Sequence, residues 1–558
     1  IKGDSSKNLL PVIVEKFISS LSFGKSMRWG GFSYEFIRPI RSVVAILGSE
    51  LVDMEIYGVK SKMAFYPHRN YGYDMVEFGS IDEYFTALEN NGIILQASKR
   101  RQKILNEFKA IEQNSGLKIE LDEDLLDEVV AITEMPTVLI GSFEKEFLEV
   151  PSEVIVTSMK ENQRYFPLYD QNGKLSNHFV VVSNAISSDS NLIIKGNEKV
   201  LRARLSDAKF FWESDLASEF SSAKLKNITY LAGLGSMYDK EIREREIARE
   251  LAKIYEKELK YEFGGEFIDE LDRAVMLSKA DLTTAMVYEF TDLQGIMGSY
   301  YAQYRKENHF VVEAIKEQYL PNKEGSECPK SYFSSMVALS AKLDTLMGLF
   351  SINKIPTGNK DPYALRRAAA GIIKIVLNLN IEFDVKNILS LIAKNYTLFD
   401  LGLLESFIYD RLYTMYDANP SVIKACLNSG VSDIKRLNSA IIALDEITKN
   451  SEFKENFSTF KRLANIIKDN QILAVDEKLM EHDSERVLHS AFSALSLDIS
   501  DTKRYLEALF NLKPAIDSYF DNVMINSDDE KIKANRISII GQIYQAFLKV
   551  ADIKEITV

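Results

Sequence analysis

Near residue 225 the chain changes texture, and this limits its architecture more than any single motif does. Before that point, short β-branched runs alternate with helical stretches. Residues 42–47, 153–157 and 179–183 predict strands, and 81–90 and 122–133 predict helices. Asp170-Gln-Asn-Gly173 lies between two apolar segments and predicts a hairpin turn. Beyond residue 225 the strand signals fade. Ile242, Ile247, Leu251, Ile254 and Leu259 keep one helical face apolar, and so do Met336, Leu339, Leu343, Leu346 and Phe350. The expected fold is an α+β front part followed by mostly α-helical parts. At 558 residues the chain exceeds a single core, since domains run to roughly 100–200 residues.

Composition removes several classes. With 46% hydrophobic and 27% charged residues, the chain can bury a core and is not a disordered or collagenous sequence. No apolar run approaches the ~18 residues that span a bilayer. Two cysteines, Cys328 and Cys426, are too few for a disulfide framework and fit a reducing cytosol. The net charge of −13 argues against a protein that coats nucleic acid without specificity. It leaves room for local basic patches that hold one folded RNA.

Catalytic signatures are missing. No G-x-x-x-x-G-K-[ST] loop, G-x-G-x-x-G, G-x-S-x-G or H-E-x-x-H occurs. Trp29-Gly-Gly-Phe32 and Ala232-Gly-Leu-Gly235 read as turn glycines. His482-Asp483 is the one sharp histidine feature, and it reads as a solvated helix start with carboxylates near the N-terminus. His68, His178 and His309 stand apart from one another in sequence.

Four basic clusters stand out. In residues 354–374, Lys354, Lys360, Arg366, Arg367 and Lys374 face the single acid Asp361, and Asp361-Pro362 predicts a helix start with Asp361 as the cap. Such a cluster in an acidic chain calls for an anionic partner, or for acids from other elements. Arg366 and Arg367 point about 100° apart on a helix, so one can hold the loop while the other faces a partner. Arg202, Arg204 and Lys209 share a helical stretch, with Arg202 and Lys209 two turns apart on one face. Residues 99–103 open a helix with Lys99, Arg100, Arg101 and Lys103. Arg28, Arg38 and Arg41 flank Trp29, Phe32, Tyr34 and Phe36. Aromatics so interleaved stack on bases, or are core residues beside snorkelling arginines.

Taken in order along the chain, these pieces match a family. Met27-Arg-Trp-Gly30, Phe36-Ile-Arg-Pro-Ile40, Gly58-Val-Lys-Ser61, Glu149-Val-Pro-Ser152, Thr157-Ser-Met-Lys160 and Tyr165-Phe-Pro167 come first. The run from Arg202 to Trp212, Leu277-Ser-Lys-Ala-Asp-Leu282, Leu293-Gln-Gly-Ile-Met-Gly298 and the run from Pro356 to Arg367 follow. Lys461-Arg-Leu-Ala-Asn-Ile466 and Asn535-Arg536 close the series. The chain resembles the β subunit of bacterial two-subunit glycyl-tRNA synthetase.

The resemblance implies a tRNA-binding subunit of a cytoplasmic α2β2 heterotetramer that needs its α subunit to charge tRNA with glycine. ATP and Mg are then expected at the α subunit, with no cofactor, metal or catalytic residue in this chain. The α subunit and the tRNA for glycine are the expected partners, with no membrane and no DNA. Residues 1–225 would form an α+β tRNA-binding body, 226–394 an HD-like helical domain without an intact metal site, and 395–558 a helical anticodon-binding domain. In the middle part Ser278 to Asp281, Gln318 and Asp344 fall where metal ligands would sit, and Lys279 would repel a cation. The expected tRNA contacts are Arg38, Arg41, Arg202, Arg204, Lys360, Arg366 and Arg367. The expected anticodon contacts are Lys461, Arg462, Asn465, Asn535 and Arg536. The family usually carries a segment before the point where this chain starts at Ile1, so a missing N-terminal piece is also expected. The rival readings are an HD-type metal-dependent phosphohydrolase and a non-catalytic helical scaffold.

Overall fold

The computed structural model describes residues 4–187, 189–467 and 471–557. The chain divides into two compact units, Ile1–Ala217 and Ser218–Val558.

The first unit is built around a four-stranded antiparallel sheet. Its strand order is Lys118–Ile119, Tyr165–Tyr169, Leu175–Ser183 and Thr137–Ser142. The expected hairpin joins its two middle strands. Asp170 Oδ1 accepts the backbone N–H groups of Asn172 and Lys174, each at 2.9 Å, and Gly173 takes the positive φ that the turn demands. Helices Ala97–Ser115 and Glu123–Ile132 cover the sheet and close a core of Ile104, Phe108, Leu126, Phe166 and Val180. Asp122 caps the second of these helices by accepting the Leu125 N–H at 3.0 Å.

One expected strand is a helix instead. Residues 153–157 fall in helix Ser152–Thr157, which runs on into a wider turn, Ser158–Gln163. Val154, Ile155, Ser158 and Met159 are buried, a three-to-four-residue repeat that only a helical backbone turns inward. Burial on that repeat outweighs the β propensity of Val-Ile-Val.

The second unit is helical apart from a two-stranded ribbon, Thr229–Leu231 with Gly235–Ser236. Helix Tyr332–Ser351 runs through its core, packed by Met237–Ile254, His309–Glu317 and Leu365–Leu379. The sequence predicts one apolar face on this helix, yet it is buried nearly all round, Ser340, Lys342 and Asp344 included. Helix Met237–Ile254 also departs from its expected face. Ile254 is exposed, while Lys240, Glu241 and Glu244 are buried. Farther along, Phe460, Phe510 and Phe547 pack with ring centroids 4.9–5.7 Å apart, joining helices Ser451–Ile467, Thr502–Phe510 and Glu530–Leu548. No helix among the described residues is long and apolar enough to cross a membrane.

Candidate functional site

The polar centre of the second unit lies where three helices bury charge together. Asp344 is fully buried, and its oxygens take Lys240 Nζ at 2.7 Å, Arg243 Nε at 2.7 Å and the Tyr396 hydroxyl at 2.7 Å. Lys240 also pairs with Glu244 at 3.0 Å. Lys279 Nζ donates to Glu244 at 2.7 Å, to Gln318 Oε1 at 3.1 Å and to Ser278 Oγ at 3.2 Å. Asp281 accepts the N–H groups of Gly295 at 2.6 Å and Gly298 at 3.0 Å. Thus Ser278 and Gln318 meet on the Lys279 ammonium, which is linked to Asp344 through Glu244 and Lys240, while Asp281 is taken up by backbone N–H groups. Among the described residues no group of three or more His, Cys, Asp or Glu is arranged to hold a metal ion.

Burial governs the protonation of this cluster. It pushes Glu241 up to about 9 and Asp281 up to about 6. Burial works on Asp344 in the same direction, but Lys240 and Arg243 outweigh it and hold that carboxyl below its usual range. Lys342, two residues before Asp344 on the same helix, is pushed down to about 7 by burial, with Lys279 and Arg367 adding repulsion. The importance of Lys240, Arg243 and Glu244 was not visible in sequence. Lys240 and Glu244 stand at i,i+4, which on a surface helix is an ordinary solvated pair.

The basic loop at 354–364 is anchored at both ends. Asp361 accepts the N–H groups of Leu365 and Arg366, each at 2.9 Å, so its carboxylate serves the helix start, but the N-cap position is Ala364 and not Asp361 as expected. The helix itself begins at Leu365, so Pro362 sits in the preceding turn and not at the first helical position. The two arginines separate as their spacing predicts. The Arg366 guanidinium folds back to the Gly358 carbonyl at 2.5 Å, whereas Arg367 is exposed and lines a cavity with Lys279 and Lys342. Lys360 is exposed, and neither it nor Arg367 pairs with any described acid.

In the first unit the Arg41 guanidinium lies 4.1 Å from the centre of the Tyr66 ring. Arg38 is exposed, and in the same unit the Phe32–Tyr34 and Tyr34–Tyr57 rings stack with centroids 5.3 and 4.8 Å apart. Arg28 pairs with Glu35 at 2.7 Å. In helix Ser190–Ala217, Arg202 and Lys209 do share a face, and that face meets acids of the same unit. Arg202 pairs with Glu144 at 2.6 Å and Lys209 with Glu146 at 2.7 Å. Arg204, on the same helix, is exposed. The 99–103 cluster is likewise occupied, with Arg101 bonded to Glu123 and Asp127 and Arg100 to the Ile94 carbonyl.

The five C-terminal candidates split into two sets. Lys461, Arg462 and Asn465 are exposed on helix Ser451–Ile467, with the Arg462 guanidinium 4.4 Å from the Phe520 ring centre. Asn535 and Arg536 are buried. Asn535 bonds both the N–H and the carbonyl of Asp476, at 2.8 and 3.0 Å, and Arg536 bonds Glu485 at 3.0 Å, Glu481 at 2.7 Å and the Met524 carbonyl at 2.9 Å.

Comparison with known proteins agrees with the order of motifs. A family profile described as glycyl-tRNA synthetase beta subunit matches residues 1–428. The glycine–tRNA ligase beta subunit of Helicobacter pylori strain Shi470 is 44% identical over 575 residues, which take in all of this chain and 82% of that protein. The corresponding subunits of Pseudoalteromonas translucida TAC 125 and Clostridioides difficile 630 are 36% and 34% identical, over 99% of this chain and 82% of each relative. The chain is therefore a subunit of an aminoacyl-tRNA synthetase, a ligase. It belongs to the glycyl-tRNA synthetase beta subunit family.

Proposed function

We propose that this chain is the tRNA-binding subunit of a cytoplasmic synthetase whose adenylate chemistry, with its ATP and Mg, belongs to a separate α subunit. The family correspondence over the whole chain carries this reading. The missing phosphate loop and nucleophile motif are consistent with it. The finer assignment gives residues 1–225 to a tRNA-binding body, 226–394 to an HD-like domain and 395–558 to anticodon binding. What supports the surfaces is the exposure of cations in an acidic chain, some of them without an ion pair among the described residues. Lys360 and Arg367 form one such surface, and Lys461 with Asn465 another. Lys and Arg serve phosphates, and Asn reads base edges of unstacked loop nucleotides. Arg38, which is exposed, and Arg41, which lies over the Tyr66 ring, add a third, while Arg202 and Arg204 offer a fourth, weaker surface because both already have partners within the protein. In the last bundle we assign base reading to Asn465 and its neighbours. Asn535 and Arg536 hold the helices beneath.

Charging assays test this reading. The chain alone should give no ATP–pyrophosphate exchange. The chain with its α subunit should charge tRNA with glycine, and binding of that tRNA should weaken steeply with salt. Charging by the chain alone, or tRNA affinity indifferent to salt, would overturn it.

A further inference from the structure

Beside the buried charge cluster lies a cavity of about 650 Å3. Its buried lining is cationic, with Lys240, Lys279 and Lys342 set against one buried acid, Glu317, whose Oε2 already accepts the Lys330 N–H at 3.0 Å. Lys240 and Lys279 have carboxylate partners. Among the described residues Lys342 has none, and there its Nζ donates only to the Tyr319 carbonyl, at 3.2 Å. The fold makes room for this amine. A Cβ at Gly371 would stand 2.7 Å from Lys342 Cε and 3.1 Å from Cδ, so the lysine stem lies directly on the backbone of helix Leu365–Leu379. A buried ammonium with unfilled donors is costly unless something anionic joins it. Arg367, exposed and without an ion pair, faces the same space. The other acids that line it, Asp292, Glu313 and Glu327, are exposed to solvent.

We propose that this cavity binds a small phosphate-bearing molecule, its phosphate oxygens held by the Lys342 amine and the Arg367 guanidinium. A tetrahedral dianion accepts from a guanidinium fork and a point-like ammonium together. The volume lies within the range of nucleotide and other small-ligand pockets. Lys342 is only 8% exposed, so a phosphate within an RNA duplex cannot descend to it, whereas a terminal phosphate on a small molecule can. The groups facing Lys342 are Lys279, Arg367, Glu244 from helix Met237–Ile254, and Cys328. In the empty cavity burial and the two cations lower this amine to about 7. Bound phosphate reverses that balance, so binding at pH about 8 takes up a proton at Lys342. The site shares Arg367 with a tRNA surface assigned above, so Lys342, which that surface does not use, separates the two.

The test is calorimetric titration of the full chain with inorganic phosphate, pyrophosphate and AMP, at pH about 6 and about 8, in buffers of differing ionisation enthalpy. Saturable one-to-one binding of at least one probe is expected. Lys342→Met should weaken it about tenfold or more and abolish the proton uptake seen at the higher pH. Arg367→Gln, a surface change that leaves folding intact, should also weaken it about tenfold. No saturable binding by any probe, or binding that both variants leave unchanged, would overturn the assignment. So would a tRNA arm in which the small probes fail but Lys342→Met weakens tRNA binding, since the phosphate would then belong to RNA.

Discussion

Asp344 draws Lys240, Arg243 and Tyr396 onto one carboxylate, with no water-facing side to relax toward. Removing one partner of a buried pair leaves the others uncompensated, which costs far more than a surface pair is worth. Asp344→Asn is expected to destabilise the second unit by about 3–5 kcal/mol in urea denaturation at neutral pH. Because the folded carboxyl titrates below its usual range, its contribution persists at neutral pH and is lost as pH falls through the folded value. The cost of Asp344→Asn should therefore shrink on acidification. Glu241 behaves in the opposite sense. Its folded value is raised to about 9 from 4.5, so between those values the folded state holds a proton that the unfolded state releases, and stability falls as pH rises. Glu241→Gln removes that loss and keeps the acceptor for the Lys279 N–H. The variant should be more stable than the parent by about 1 kcal/mol or more at neutral pH, with a gain that grows toward pH 9. A parent and variant with parallel pH profiles would show that Glu241 ionises freely.

Helix Leu365–Leu379 does two jobs with adjacent residues. Arg366 closes the loop onto the Gly358 carbonyl, and Arg367 faces outward. Arg366→Ala should lower thermal stability by about 1 kcal/mol, the worth of a partly exposed charge-assisted hydrogen bond. Arg367→Ala should leave stability unchanged and weaken tRNA binding by about 1–3 kcal/mol with a shallower salt slope. Equal effects of the two on both measurements would mean that the loop acts as one unit. On the same helix, Gly371→Ala places a methyl against the Lys342 stem, and overpacking of this kind costs about 1–3 kcal/mol. Lys342→Ala should restore part of that loss in a double-mutant cycle, because it removes the atoms that clash. The last bundle offers a matched pair on two other helices. Arg536→Ala breaks buried bonds to Glu485 and Glu481 and should cost about 3–5 kcal/mol of stability. Asn465→Ala touches no internal partner among the described residues and should instead lose about 1 kcal/mol or more of discrimination between the cognate tRNA and one with a substituted anticodon. If Asn465→Ala melts early and still discriminates, base reading does not belong to this helix face.

Across the molecule, features set by near neighbours were legible without coordinates. The Asp170–Gly173 turn and the cap at Asp122 follow from side chains that reach backbone groups a few residues away, and the helical second half from apolar periodicity. Family membership was legible for a different reason, because many short motifs keep their order along the whole chain. Where local propensity and burial disagreed, as in Ser152–Thr157, the inward-facing repeat overruled the β-branched residues. Which members of the basic clusters stay exposed was only half legible. Charge density locates a cluster, but whether Arg202 meets solvent or Glu144 depends on which segment packs beside it. The same limit hid Asn535 and Arg536 among residues that look like nucleic-acid contacts until the helices around them are in place. It applies most strongly to the central cluster. Lys240 and Asp344 are 104 residues apart and Lys279 and Gln318 are 39 apart, and each alone has the composition of a solvated helix face. Helical periodicity is a property of the local backbone and survives in any context. The burial of a charge is a property of everything that surrounds it, and only the packed helices decide which lysine keeps a carboxylate and which, like Lys342, is left facing a cavity.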